Sequence, residues 1–317
     1  MPDQNANIDN HSTWLPVVWA SEALLQLPNY LVLAPRLNLN FNNEFATRGQ
    51  KITIGKTGTL TVTMFDDKTP LSLSAPVSPG VVEVSLEYQP IVSFGASAAL
   101  ATLTGPDAIR AYTRDAVMAI AQKIDATIAA AYASLTGAYG TGNVDLDSDA
   151  LPGIIGVLKS AKVPAGLFDI DGGVSLFCSI KDGTSFRRDT EFTDASKLGN
   201  MGGSPRITGR LGRYMGVDIY ETQSIVTTGS TVYHNLALAR DAMVLASRPV
   251  QGPGNDLGVR SAFISMPLGN AGEGELSGVV FRVDESWDRT IQSKVIDVSC
   301  LFGLNAVRPE WGVHVQS

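Results

Sequence analysis

The sequence predicts an α+β fold, and three observations carry that prediction. Residues 51–64 and 82–88 alternate apolar and polar with a period of two, as half-buried strands do. Between Thr104 and Gly137 apolar residues recur mostly three or four apart, which reads as one helix of about thirty residues. From Gly166 onward, short strand-like runs separated by glycine-containing turns fill most of the chain.

The elements can be justified in order. Residues 14–33, WLPVVWASEALLQLPNYLVL, form an amphipathic segment with a short helix expected around Ser21–Leu27. Trp14 and Trp19 are large apolar anchors on an arm near a chain end, where polar residues are usual, so the arm needs a surface to lie on. The next run puts Ile52, Ile54, Leu60, Val62 and Met64 on one face and Lys51, Thr53, Thr59, Thr61 and Thr63 on the other. After a Pro/Ser-rich tip, Val82, Val84, Leu86 and Tyr88 alternate with Glu83, Ser85 and Glu87, which closes a long hairpin. At roughly 3.4 Å per residue its first arm reaches on the order of 40 Å, against a radius of gyration near ~20 Å for a compact chain of this size. Two strands alone are marginal in water, so the apolar face must be covered by the chain's own core or by another chain.

Thr104-Gly105-Pro106-Asp107 has the spacing of a capping box with proline in the first turn, and the stripe Ile109, Tyr112, Val117, Ile120, Ile124, Ile128, Tyr132, Leu135 follows it. NVDLDSDA reads as a polar turn into a helix at about Ala150–Ser160. Strands are expected from Gly166 to Pro249, interrupted by an irregular charged stretch carrying Lys181, Arg187, Arg188, Asp189, Glu191, Asp194 and Lys197. Mixed charge of this kind suits either a solvated loop or a ring of identical subunits in which each positive group meets a neighbour's negative one. A Gly/Pro-rich stretch from Gln251 to Gly278 marks a boundary, and two or three long strands close the chain with Trp287 and Trp311 as packing residues.

Composition and motifs exclude several functions. At 317 residues and 44% hydrophobic, the chain can build one large domain or two to three small ones. A net charge of −7 opposes a main role in gripping nucleic acid, which needs a basic face, but not lying beside it. The opening MPDQNANIDN has no basic or apolar run, so no secretory signal is expected, and no apolar stretch is long enough to predict a membrane-spanning helix. Gly55-Lys56-Thr57 ends like a phosphate loop, yet the required first glycine is Gln50 and the flanking residues alternate as a strand. Asp145, Asp147 and Asp149 open like a calcium loop, but Ala150 and Gly156 stand where glycine and glutamate are needed. Cys178 and Cys300 read as buried, inert thiols of a reducing cytoplasm, and His11, His234 and His314 share no ligand spacing. No catalytic constellation or cofactor motif is present, so no enzymatic activity and no cofactor is expected. A projecting hairpin with a tryptophan-bearing arm points to a structural protein that completes itself on neighbours.

In this order, the arm WLPVVWASEALLQL, the RGQKITIGKTGTLTV segment, the long helix ending in AAAYASL, GRLGRYMGVDIYETQSI, HNLALARDAMVLASRP and the closing LFGLNAVRPEWGV resemble the major capsid proteins of tailed bacteriophages with the HK97-type fold. The resemblance runs from about Trp14 to Val315, nearly the whole chain. It implies an N-terminal arm (1–48), an extended hairpin loop (49–95), a peripheral domain with a long spine helix (96–148 and 263–317) and an axial domain (149–262). It further implies pentameric and hexameric rings that tile an icosahedral shell around double-stranded DNA, packaged without specific binding, in a virion assembled in the host bacterial cytoplasm. Its partners would be sister copies, a portal protein and a separate scaffolding protein, since only about a dozen residues precede the arm; a decoration protein is left open. The bacterial encapsulins, shells of the same fold that enclose a cargo enzyme, are the alternative. The expected subunit-interface residues are Trp14, Trp19, Lys51, Lys56, Glu83, Glu87, Arg187, Arg188, Asp189 and Glu191, with Lys51 and Lys56 meeting acidic groups on a neighbour and the 181–197 stretch approaching the ring axis. Some relatives join a loop lysine covalently to an asparagine; Lys56, Lys68 and Asn305 are the right types, but type alone does not make the bond and no such link is expected.

Overall fold

The structure, a computed structural model of the chain, describes residues 31–39, 51–56, 80–97, 106–170, 172–189, 211–229, 231–248, 250, 260–267, 278–288, 290 and 293–317. In chain order the strands and helices are β1 (Lys51–Lys56), β2 (Gly80–Ser85), β3 (Ile91–Ser97), α1 (Pro106–Ala130), β4 (Gly137–Tyr139), α2 (Ala150–Ser160), β5 (Val174–Cys178), α3 (Ile180–Arg188), β6 (Arg213–Tyr214), β7 (Val217–Glu221), β8 (Val226–Thr228), β9 (Val232–Ala239), β10 (Met243–Arg248), β11 (Arg260–Pro267), β12 (Gly278–Asp288), β13 (Ser293–Ala306) and β14 (Gly312–Gln316). Among the described residues no helix is long and apolar enough to cross a membrane.

The long helix organises the body. Its residues Ala116, Val117, Ile120, Ala121, Ile124, Ile128 and Ala129 are buried and fall on one stripe because their spacing follows the helical period. Each fully buried isoleucine there contributes about 1.5–3 kcal/mol relative to exposure. The helix is shorter than the spacing predicts: it ends at Ala130, and a 3-10 turn, Ala131–Ser134, carries the stripe on before Gly137 opens β4. Tyr112, expected in the stripe, is 51% exposed, with its ring tilted against Phe94.

That stripe packs on a five-stranded antiparallel sheet centred on β13. One side of β13 pairs with β12; on the other, its first half pairs with β3 and its second half with β10, while β11 extends the sheet beyond β12. Alternate residues Ile296, Val298, Cys300 and Phe302 of β13 and Val279, Phe281 and Val283 of β12 are buried in the cluster with α1. Leu31, Leu33, Ala34, Leu37 and Leu39 join the same cluster, so this part of the expected arm belongs to the core.

The second sheet has seven strands in the order β4-β14-β9-β5-β7-β6, with β8 on β9. Phe177, Leu236 and Leu238 on one face join the cluster around α1. Leu176, Cys178, Ala237, Ala239, Val313 and Val315 on the other face pack against Leu151, Ile154, Ile155 and Leu158 of α2 and Phe186 of α3. The spacing of those four α2 residues gives the expected helix, within the expected limits. Met215 and Gly216, both at positive φ, make the two-residue turn between β6 and β7 that a tight hairpin requires.

Several expectations need correction. The charged stretch does not begin as an irregular loop: α3 forms because Ser179 accepts the Asp182 N–H at 3.1 Å as an N-cap, and Arg187 and Arg188 occupy its last turn. The stretch 251–278 is not only a boundary, since β11 within it pairs along its length with β12. Residues 91–95, expected within the hairpin loop, are hydrogen-bonded to β13 as part of the body. β10, expected in the axial segment, pairs with β13, and β14, expected in the peripheral one, lies between β4 and β9 in the seven-stranded sheet. Trp287 is 53% exposed, so it is no core residue, whereas Trp311 is half-buried against both clusters with the Arg308 guanidinium 4.0 Å over its ring. The Ser21–Leu27 helix, the hairpin tip and residues 190–210 lie outside the described residues.

Candidate functional site: the hairpin root and the charged helix

β1 and β2 pair antiparallel in a register that sets Ile52 opposite Val84 and Ile54 opposite Val82, so the apolar residues of both arms share one face, as the alternation predicts. That face is covered by the chain's own sheet. Ile52, Val84 and Leu86 are buried with Val244 and Ala246 of β10 and with Val307, and Leu301 of β13 packs alongside. The hairpin root therefore needs no sister copy to cover it. The backbone fastens it further: Asn305 Nδ2 donates to the Glu83 carbonyl at 2.6 Å, and Tyr88 and Phe302 exchange two backbone hydrogen bonds with their rings stacked at 5.3 Å. Gly55 and Lys56 end β1, where backbone groups pair with Val81 and Gly80, so this is strand and not a phosphate loop.

The interface candidates divide accordingly. Lys51 donates to Glu83 at 2.9 Å, and both side chains are more than half exposed. Within the chain the register places Glu83 diagonally opposite Lys51 in the same hairpin. The hydrogen bond to Glu83, then its charge, raises the Lys51 pKa, but so exposed a pair adds little to stability. Glu87 is exposed beside this pair. In α3, Arg187 forms an ion pair with Glu221, Lys181 one with Asp145 at 2.6 Å, and Asp189 accepts the Ser148 N–H at 2.9 Å. These three have partners within the chain, and Arg188 is exposed at the helix end. Trp14, Trp19 and Glu191, and the side chain of Lys56, lie outside the described residues.

Two buried carboxylates hold this framework and were not singled out by the sequence. Asp182, fully buried in α3, accepts the Leu146 N–H at 3.0 Å, Ser179 Oγ–H at 2.6 Å, Asn235 Nδ2–H at 2.9 Å and Ser317 Oγ–H at 2.8 Å. Asp125, on the long helix, accepts the backbone N–H groups of Val32 at 2.7 Å and of Leu33 and Ala34 at 3.4 Å, pinning the chain before the helix to it. Burial pushes the Asp125 carboxyl up to about 6, against the opposing pull of those three N–H donors. Because the folded-state pKa lies above the unfolded one, the ionised form costs stability that is recovered as pH falls from about 6 toward about 4. The stability of the wild type relative to Asp125→Asn should therefore rise by roughly 1 kcal/mol between pH 7 and pH 5. Urea unfolding of both proteins at the two pH values checks this, and a difference independent of pH would refute it.

Cys178 and Cys300 are buried in different sheets as free thiols; burial raises both pKa values, that of Cys300 to about 12, which fits the inert role. No group of three or more potential metal ligands occurs among the described residues. His234 and His314, however, lie 2.8 Å apart on adjacent strands. Their separation by eighty positions hid this from spacing arguments; only the β9–β14 pairing brings them together.

The sequence matches no protein-family model and no curated protein. Its fold does match solved structures. A chain of Mycobacterium phage Che8 superposes with a TM-score of 0.64 at 17% identity, over 90% of this chain and 90% of that one. The capsid of Ralstonia phage GP4 gives 0.57 at 12% identity, over 85% and 84%. A virus-like particle from Pyrococcus furiosus gives 0.50 at 13% identity, over 94% and 98%. Identity this low establishes likeness of fold alone. The chain has the α+β capsid fold of the HK97 type, with the long helix laid across two sheets and the paired hairpin root described above.

Proposed function

We propose that the chain is the major coat protein of a tailed double-stranded DNA bacteriophage, with no enzymatic role, copies of which form pentameric and hexameric rings that close into an icosahedral shell around the genome. The observation that carries this is the fold likeness to a phage chain over nine-tenths of both lengths, which leaves little room for a domain of another purpose. The hairpin root supports it: β1 and β2 are paired and their apolar face is fixed to the body. In this reading the arm, hairpin, peripheral and axial portions meet their counterparts on sister subunits through many modest interfaces that symmetry repeats until the shell closes. Lys51, Lys56, Glu83, Glu87, Arg187, Arg188, Asp189 and Glu191, with Trp14 and Trp19 of the arm, are the contact residues assigned to neighbours. A separate scaffolding protein and a portal protein act in assembly within the host bacterial cytoplasm, and DNA is held by enclosure.

The fold match to a virus-like particle from an archaeon favours a second reading, a nanocompartment shell of the encapsulin type. Negative-stain electron microscopy of the expressed protein tests the shell itself. Deleting residues 57–79 and closing the gap with a short turn should leave folded subunits that make no shells. A full-length protein that stays monomeric under all assembly conditions would overturn both readings. Packaged DNA in particles from infected cells supports the coat, and an enclosed enzyme supports the compartment.

A further inference from the structure

We propose that His234 and His314 form a two-stage proton switch that fastens the end of the long helix to the seven-stranded sheet. The two residues sit on adjacent antiparallel strands, β9 and β14, and project from the sheet face that meets α1. His234 Nδ1 lies 2.8 Å from His314 Nε2, and the other His234 nitrogen, Nε2, lies 2.7 Å from Thr228 Oγ1. Tyr132, in the 3-10 turn that finishes the helix, stacks on His234 with centroids 4.3 Å apart and planes 5° from parallel, and also contacts His314 at 4.7 Å. Among the contacts that hold the helix end to the sheet is thus one tyrosine lying over a hydrogen-bonded histidine pair.

Proton counting gives the two stages. With both rings neutral, one N–H fills the gap between them and the Thr228 hydroxyl takes the complementary role at Nε2 of His234. A first proton on His234 lets it donate to His314 and to Thr228 together, so every hydrogen bond survives. A second proton sets N–H against N–H across 2.8 Å and two like charges side by side, so the bond is lost and one ring must move. Tyr132 lies over both rings, so that movement opens the stack and lifts the turn at 131–134.

The surroundings offer the second charge no support. Facing the pair are the Thr228 hydroxyl from β8 and the Tyr132 ring from the helix end. Lys181 and Asp182 of α3 lie across the sheet, where they engage Tyr233 and Asn235, whose side chains alternate away from His234. No carboxylate among the described residues pairs with either imidazole. Burial lowers the pKa of both histidines, and the charge of His234 lowers that of His314 further, which separates the two steps.

Hydrogen–deuterium exchange of the full chain between pH 7.5 and 4.5, corrected for the intrinsic rate, tests the switch. As pH falls through the range where the opened form takes up the second proton and the closed pair does not, protection in peptides spanning 131–136 and 232–236 should fall about tenfold per pH unit, the slope for one proton taken up on opening. Peptides spanning 174–178 should not follow. His314→Gln keeps a polar side chain that takes no proton, and its protection at 131–136 should be flat with pH. Flat protection in the wild type, or an equal fall in His314→Gln, would overturn the proposal. Should that variant fail to fold, the imidazole 15N shifts of the wild type decide: a coupled two-step titration of His234 and His314 supports the switch, and two independent single-step curves refute it.

Discussion

Asp182→Ala will be the most destabilising of the substitutions considered, lowering the stability of the fold by about 3–5 kcal/mol. Its carboxylate, fully buried between α3 and the seven-stranded sheet, is the shared acceptor for the Leu146 amide, the Ser179 and Ser317 hydroxyls and the Asn235 amide. Alanine leaves those donors facing apolar neighbours, and each buried unpaired donor costs about 1–3 kcal/mol. Removing one member of such a buried network typically costs about 3–5 kcal/mol, a large share of the roughly 5–15 kcal/mol that holds a domain folded. Ser317→Ala removes one of the four bonds to Asp182 together with the Asn235 Nδ2–H bond to Ser317 Oγ, and should cost about 1–2 kcal/mol. Urea midpoints rank the variants, and an Asp182→Ala midpoint equal to that of the wild type would show that the network does not hold the sheet. The connection is long-range: one side chain ties the turn before α2, the start of α3, β9 and the residue following β14.

The elements legible in the sequence are those whose signal is local. The α1 stripe, the α2 spacing and the alternation in β1, β2, β12 and β13 record in each segment which face is buried, so reading them requires no knowledge of the partner. The centres that hold the site were not legible, because their geometry is made by pairings between distant segments. Nothing around Asp125 announces that it accepts the amides of residues 32–34. His234 and His314 become neighbours only once β14 lies beside β9. The α3 helix had a local signal, Ser179 three residues before Asp182, but Gly183 and the polar residues after it outweighed that cap by propensity. Lys51 and Glu83 show what register adds to residue type: the hairpin pairing brings these two opposite charges together within the chain.

Gly303→Ala will loosen the hairpin root from the body and, on the proposed function, abolish shell assembly while the two sheets remain folded. Gly303 sits in β13 opposite Ala246 of β10, where the end of β2 passes directly over the sheet. A Cβ there would lie 2.9 Å from the Ser85 carbonyl carbon and 3.3 Å from Leu86 Cα, and well inside contact distance of the Ser85 oxygen. These are backbone atoms, so no side-chain rotation relieves the overlap, and the root must lift. Lifting it uncovers Ile52, Val84 and Leu86, worth about 1.5–3 kcal/mol each when fully buried, and breaks the Asn305–Glu83 hydrogen bond. Only part of that burial is lost by a small displacement, and overpacking of this kind typically costs about 1–3 kcal/mol. Amide exchange in residues 80–88 should rise at least tenfold while the α1 stripe keeps its protection, and electron micrographs should show no closed shells. Asn305→Ala supplies the contrast, since it removes one hydrogen bond without adding volume and should leave assembly intact. Unchanged protection at 80–88 in Gly303→Ala would mean that the backbone approach at this position does not fix the ribbon. Lost protection with normal shells would mean that the ribbon's anchorage is not what assembly depends on.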